Sequence, residues 1–163
     1  MTEIRDYNGS GRWSRESIEN RFQSYSKAFG TAHKLKPRIS EENGIKWIYP
    51  LMDSVIYGIE KKDRACIELG IELIEDGSAM PFGKILKSNA ARALRRAAEF
   101  LTEEQRRRIR KRVADMLIDA YMPREFVQYV KLAKAIDFTE ELPRVHGAAD
   151  LSNDWVKHYL KQL

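Results

Sequence analysis

Eleven Lys and Arg side chains fall between Lys84 and Arg112, in the run KILKSNAARALRRAAEFLTEEQRRRIRKR, against three acids, Glu99, Glu103 and Glu104. The local balance is +8, whereas the rest of the chain carries 18 basic and 21 acidic side chains, a balance of −3. The positive character is therefore local. The chemistry available to such residues is anion capture: Lys and Arg hold phosphates through charge and counterion release, and Arg also grips a phosphate or carboxylate with two parallel hydrogen bonds. Arg92, Arg95, Arg96, Arg106, Arg107, Arg108, Arg110, Lys111 and Arg112 are accordingly the expected partner-binding surface. An acidic protein is the expected partner, and a nucleic-acid phosphate backbone is the alternative. A solvated face of strong helix formers, partly neutralised by Glu68, Glu72 and Glu75, would give the same composition.

Other chemistry finds little support. Residues Gly77 to Ile85 read G-x-x-x-x-x-G-K-I, one residue too long for a phosphate loop, with Ile in the magnesium-binding Ser/Thr position. A weaker version survives, because Gly83 and Lys84 open a helix whose free backbone N–H groups can hold an anion. His33, His146 and His158 are scattered, none stands three residues after a Glu, and no H-E-x-x-H occurs, so no metal site is expected. Cys66 sits in the apolar run CIELGIELI, where a buried structural thiol is the default, and as a lone cysteine it fits a reducing, cytoplasmic setting. Trp13, Trp47 and Trp155 stand at or near helix starts, where packing is their usual role. No catalytic residue and no cofactor is expected, and the residues favour a binding module over an enzyme.

The elements that position the basic run follow from apolar periodicity. Met1 to Arg12 is polar and aperiodic, an expected flexible leader before a domain spanning 13–163. Ser14 reads as an N-cap, with Trp13 before it and Ile18 after it as a hydrophobic staple, for a helix ending at Gly30. Thr31 to Gly44 is an expected connector. Ile48, Met52, Val55, Ile56 and Ile59 then mark a second helix, with Pro50 in its first turn. From Asp63 to Glu75 the chain is apolar nearly all round except for Glu68, Glu72 and Glu75, which predicts the most buried helix, with Gly70 allowing close approach. Leu86, Ala90, Ala93, Leu94, Ala97 and Leu101 form the buried stripe of a fourth helix. The run TEEQ from Thr102 to Gln105 is a capping box for a fifth, whose core face is Ile109, Val113, Met116, Leu117 and Ala120. Pro123 opens a sixth helix, Asp137 to Ser152 is an expected long irregular loop, and a short amphipathic helix ends the chain. No stretch alternates convincingly as a strand.

Successive first helices would begin near Lys46, Gly83 and Pro123, a spacing of about 40 residues that is in the range of two-helix solenoid repeats. Between Ile45 and Ile136 the chain thus resembles HEAT-like and armadillo-like repeat proteins in helix length, spacing and turns. The runs PFGKILKSNAARALRR and LTEEQRRRIRKRVADMLI are also similar to a group of uncharacterised bacterial proteins, which carries no functional residue over. The resemblance to HEAT-like repeats implies an all-α fold, with antiparallel hairpins stacked as a short right-handed α-α superhelix or compact bundle of six to seven helices. Some HEAT-like proteins are DNA glycosylases, which makes a repair enzyme a more distant alternative, with no catalytic residues to map. At 163 residues, 43% apolar and 33% charged, the chain is long enough for one domain with its own core, and no apolar run reaches the roughly 18 residues a membrane span needs.

Overall fold

The computed structural model describes residues Met1–Leu163. In chain order the elements are β1 (Glu3–Asp6), α1 (Arg15–Phe29), β2 (Ile39–Glu42), β3 (Ile45–Ile48), α2 (Met52–Glu60), α3 (Arg64–Glu75), α4 (Gly83–Arg96), α5 (Glu103–Ile118), α6 (Phe126–Ala135), α7 (Leu142–Ala148) and α8 (Asp154–Leu160). The expected all-α class is corrected by this order: eight helices accompany a three-stranded mixed sheet, β1-β3-β2, so the fold is α/β and not a HEAT-like superhelix or helical bundle.

The sheet has a local cause. Asn43 and Gly44 both have positive φ, 52° and 74°, and Glu42 pairs directly with Ile45, so the two residues form a tight hairpin turn of the type that Asn-Gly favours. Ile45–Ile48 is therefore a strand and not the start of the second helix, which begins only at Met52. The segment expected as a leader supplies β1, which pairs in parallel with β3 from Glu3 opposite Ile45 to Asp6 opposite Ile48. Asn8 then accepts a hydrogen bond from the Leu51 backbone N–H (2.8 Å), tying this segment to the start of α2.

In the helical part, α2, α4 and α6 pack side by side, and α3 packs against α1, α2, α4 and α5. Nine of the twelve residues of α3 are buried, as its nearly all-round apolar pattern demands. Close approach of α2 and α3 rests on two glycines: a Cβ on Gly70 would lie 2.5 Å from Ile59 Cδ1, and one on Gly58 would lie 2.3 Å from Cys66 Sγ. Asp63 caps α3 through the Cys66 N–H, and Ser14 caps α1 through the Ser17 N–H. Thr102 and Gln105 make both bonds of a capping box, and a short 3-10 turn over Ala98–Phe100 separates α4 from α5. The stretch expected as a loop from Asp137 to Ser152 contains a 3-10 turn and α7, whose Val145 is buried. No helix is long and apolar enough to cross a membrane.

Candidate functional site

The arginine run is largely spoken for inside the molecule. Arg108 spans Glu68 (2.6 Å) and Glu75 (2.5 Å) on α3, and the bond to Glu75 first, then that to Glu68, pushes its guanidinium pKa up. Arg110 is buried and holds Glu103 and Glu140, each at 2.7 Å. Arg96 pairs with Glu60 (2.9 Å) and Lys111 with Asp115 (2.8 Å). Arg106 and Arg112 donate to the Ala98 and Ile74 carbonyls, at 3.0 and 3.1 Å, and Arg92 donates to Asn89 (2.9 Å). Of the nine expected residues only Arg95 and Arg107 have no hydrogen-bond or ion-pair partner. The face does not present them as one group: α5 uses its cations to fasten itself to α3 and to the Glu140 turn.

The acidic strip on α3 explains this. Glu72 is buried, taking Arg21 (2.6 Å), Arg12 (3.4 Å) and the Tyr25 hydroxyl. Burial, followed by that bond to Glu72, pushes the Tyr25 hydroxyl up to about 12. Glu68, Glu72 and Glu75 are thus not a free surface but the seam to which α1 and α5 attach.

Uncommitted cations gather elsewhere, at the first turn of α4. A cleft of about 460 Å³ lies between the Gly77–Lys87 stretch and the Tyr121–Glu125 turn before α6. A smaller groove between α4 and α6 adjoins it, sharing Lys84, Ile85 and Arg124 and adding Arg92. Lys84 and Arg124 are exposed and enter no ion pair. Gly83 and Lys84, the weaker anion site of the sequence, therefore lie in this cleft. Lys87, Arg124 and Glu125 were not singled out from the sequence. Lys87 falls within the basic run, but only the placement of Pro123–Glu125 against α4 could reveal the other two.

The cleft has a fixed wall. Asp76 accepts from the Ser78 N–H and from the Trp13 indole, both at 2.7 Å, and Lys87 donates to the Ser78 carbonyl at 3.1 Å. Burial alone would raise the Asp76 carboxyl, but the bonds from Ser78 and Trp13 and the charge of Lys87 outweigh it and hold the group low. Lys87 is only 6% exposed, and burial lowers its pKa, with Glu125 and then Asp76 acting in the opposite direction. Glu125 is only 4% exposed, and its Oε2 has no hydrogen-bond partner. At the rim, Phe82 has φ 55°, a left-handed conformation that a bulky side chain rarely adopts, and packs edge-on against Tyr7 at 5.1 Å. The segment following β1 therefore braces the mouth of the cleft.

The histidines do not join this site. His33 lies against Ser54, Phe22 and Tyr57, and His158 against Trp155 and Gln162. No group of three or more His, Cys, Asp or Glu side chains is placed to hold a metal ion. Cys66 is fully buried, and burial, then the neighbouring Asp63, pushes its thiol pKa up, which leaves it an inert core residue. Comparison of the chain with protein-family models, with curated proteins and with solved structures returns no match.

Proposed function

We propose that this chain is a non-catalytic interaction module that holds an acidic segment of a partner protein along the cleft and groove at the first turn of α4. One observation carries the reading: Lys84 and Arg124, unlike most of the α5 arginines, have no internal partner, and both line two adjoining depressions. Phe82, Ile85 and Tyr121 are large side chains left exposed beside them, which suits a polypeptide with both carboxylates and apolar anchors better than a phosphate backbone alone. Fold analogy was the sole warrant for a repair glycosylase, and that warrant goes with the superhelix.

The test is fluorescence anisotropy with a labelled Glu/Asp-rich peptide, duplex DNA, single-stranded DNA and RNA, at about 50 and 200 mM salt. Three proteins are compared: the native chain, Lys84→Gln with Arg124→Gln, and Arg106→Gln with Arg107→Gln and Arg108→Gln. The reading expects peptide binding that the first variant weakens by about tenfold or more, since each charged contact contributes on the order of 1 kcal/mol. Binding of nucleic acid but not peptide transfers the site to the phosphate-backbone alternative. Peptide binding that survives the first variant and falls only in the second returns it to α5.

A further inference from the structure

The sheet stands outside the core. No residue of its strands is buried: β1 and β2 are exposed along their whole length, and β3 is half-buried. In the order β1-β3-β2 the central strand is paired on both sides, and β1 and β2 each keep a free edge. Hydrogen bonding fixes which groups face outward. The Glu3 N–H bonds the Gly44 carbonyl and the Tyr7 N–H bonds the Ile48 carbonyl, both at 2.9 Å, in a parallel register with Arg5 opposite Trp47. Glu3, Arg5 and Tyr7 therefore turn their main-chain groups to β3, and alternation turns those of Thr2, Ile4 and Asp6 away from the sheet.

This outer row is a template for another strand, and Ile4 at its centre is 63% exposed. The edge of β2 is different. The Tyr49 N–H bonds the Arg38 carbonyl at 3.0 Å, so the outward row there is Pro37, Ile39 and Glu41. Pro37 has no N–H to give, and Glu41 and Glu42 set like charges side by side, so that edge is blunted.

Side chains select what the β1 edge takes. Glu3 and Arg5 share one face of the strand, bonded to each other at 2.8 Å, and Ile4 lies on the other face. A second β1, antiparallel and related by a two-fold axis, must set outward row against outward row. Registers centred on Glu3, Arg5 or Asp6 place that charge opposite its own copy. The register centred on Ile4 does the reverse: Ile4 faces Ile4, Glu3 faces Arg5 of the other copy, and Arg5 faces its Glu3. The Ile4–Ile4 and Thr2–Asp6 pairs then exchange both N–H···O bonds, and the Glu3–Arg5 pairs fall at the closer positions between them, where side chains meet.

We propose that β1 pairs with β1 of a second copy of this chain, antiparallel and in the register centred on Ile4, which joins two sheets into one in the order β2-β3-β1-β1-β3-β2. The contact is isologous and closes on itself, so assembly stops at two copies, with the blunted β2 strands as the outer edges. It uses neither the cleft at α4 nor the acidic-segment reading.

The test is sedimentation equilibrium of the full chain, with any purification tag at the C-terminus, from about 10 to 1,000 µM, because a contact of this size is weak. The mass is expected to rise towards that of two chains, with a dissociation constant on the order of 100 µM. Glu3→Arg and Arg5→Glu each set like charges across the axis, and each is expected to weaken self-association by about tenfold or more. An equimolar mixture of the two variants puts opposite charges in register again and is expected to associate as the native chain does. Ile4→Pro removes an outward N–H at an edge position that tolerates proline and is expected to abolish the dimer. A native mass that stays at one chain throughout the range overturns the proposal. So does self-association that is unchanged in the single charge variants, or a mixture that associates no better than either variant alone. Misfolding of a variant does not mimic the expected result, because the mixture must gain an association that neither component has.

Discussion

Helix α5 and the first turn of α4 carry positive charge in opposite ways. In α5, Arg108 and Arg110 each hold two carboxylates and Arg112 a carbonyl, all supplied by other elements or by the same helix. At α4, Lys84 opens the same basic run, Arg124 arrives from a turn forty residues later, and neither finds an internal hydrogen-bond or ion-pair partner. Most of the α5 cations are adhesive inside the molecule, whereas Lys84 and Arg124 make no internal hydrogen bond or ion pair. A count of charges along the chain measures neither property, because Glu68, Glu75 and Glu140, which neutralise Arg108 and Arg110, are distant in sequence.

The largest expected effect tests the structural half of that contrast. Arg108→Ala leaves Glu68 and Glu75, both partly buried, facing each other with no cation between them, and is expected to lower stability by about 2 kcal/mol. Urea denaturation measures it, and peptide binding by the folded variant is expected to be unchanged. If stability stays within about 0.5 kcal/mol, the size typical of exposed substitutions, then α5 is not fastened through this residue. The complementary pair, Lys84→Gln with Arg124→Gln, is expected to leave the urea midpoint nearly where it was, since neither side chain has an internal hydrogen bond or ion pair to lose.

Next comes the wall of the cleft. Asp76→Ala strands the Ser78 N–H and the Trp13 indole and is expected to cost about 1–2 kcal/mol. The folded-state pKa of Asp76 is depressed, so its contribution is fully present above the ordinary carboxylate pKa and is lost as pH falls through the folded value. The difference in stability between the native chain and Asp76→Asn should therefore be constant near neutrality and shrink below about pH 4. A difference that grows with acidification would mean that the carboxylate is not stabilised by these partners.

Much of the helical framework was legible. Ser14 and the Thr102–Gln105 box fix helix starts through bonds a few residues long, and the apolar stripes of α3 to α6 fix which faces are buried, because both signals are local. Ala120, expected on the core face of α5, is the exception, exposed past the end of the helix at Ile118. The sheet is legible only in part. Asn43-Gly44 is a strong hairpin signal, but Ile48, Met52, Val55 and Ile59 continue a helical spacing that draws the eye past it, and β1 is a polar strand exposed along its whole length. Its pairing depends on β3, 42 residues away in register, which no window of sequence reports. The site was half legible. Gly83 and Lys84 follow from a helix start, while Glu125 and Arg124 flank a proline-led turn whose distance from α4 is a property of packing alone.

The smallest expected effect concerns the joint between the two regions. Ala120 lies just past α5 and just before Tyr121 on the cleft, with φ 52°. An L-residue in the left-handed region costs roughly 1–2 kcal/mol, whereas glycine does not, but glycine also makes the unfolded chain more flexible at a cost of about 0.4–1 kcal/mol. The first quantity exceeds the second, so Ala120→Gly is expected to raise stability by about 0.5 kcal/mol, read from the urea midpoint. Ala120 is exposed, and no packing is lost with its methyl group. Peptide affinity is expected to stay level, because the backbone conformation that sets Tyr121 in place is the one glycine adopts freely. A stabilised variant with weakened binding would show instead that the cleft depends on strain held at this joint, and would tie the availability of the α4 cations to the way α5 ends.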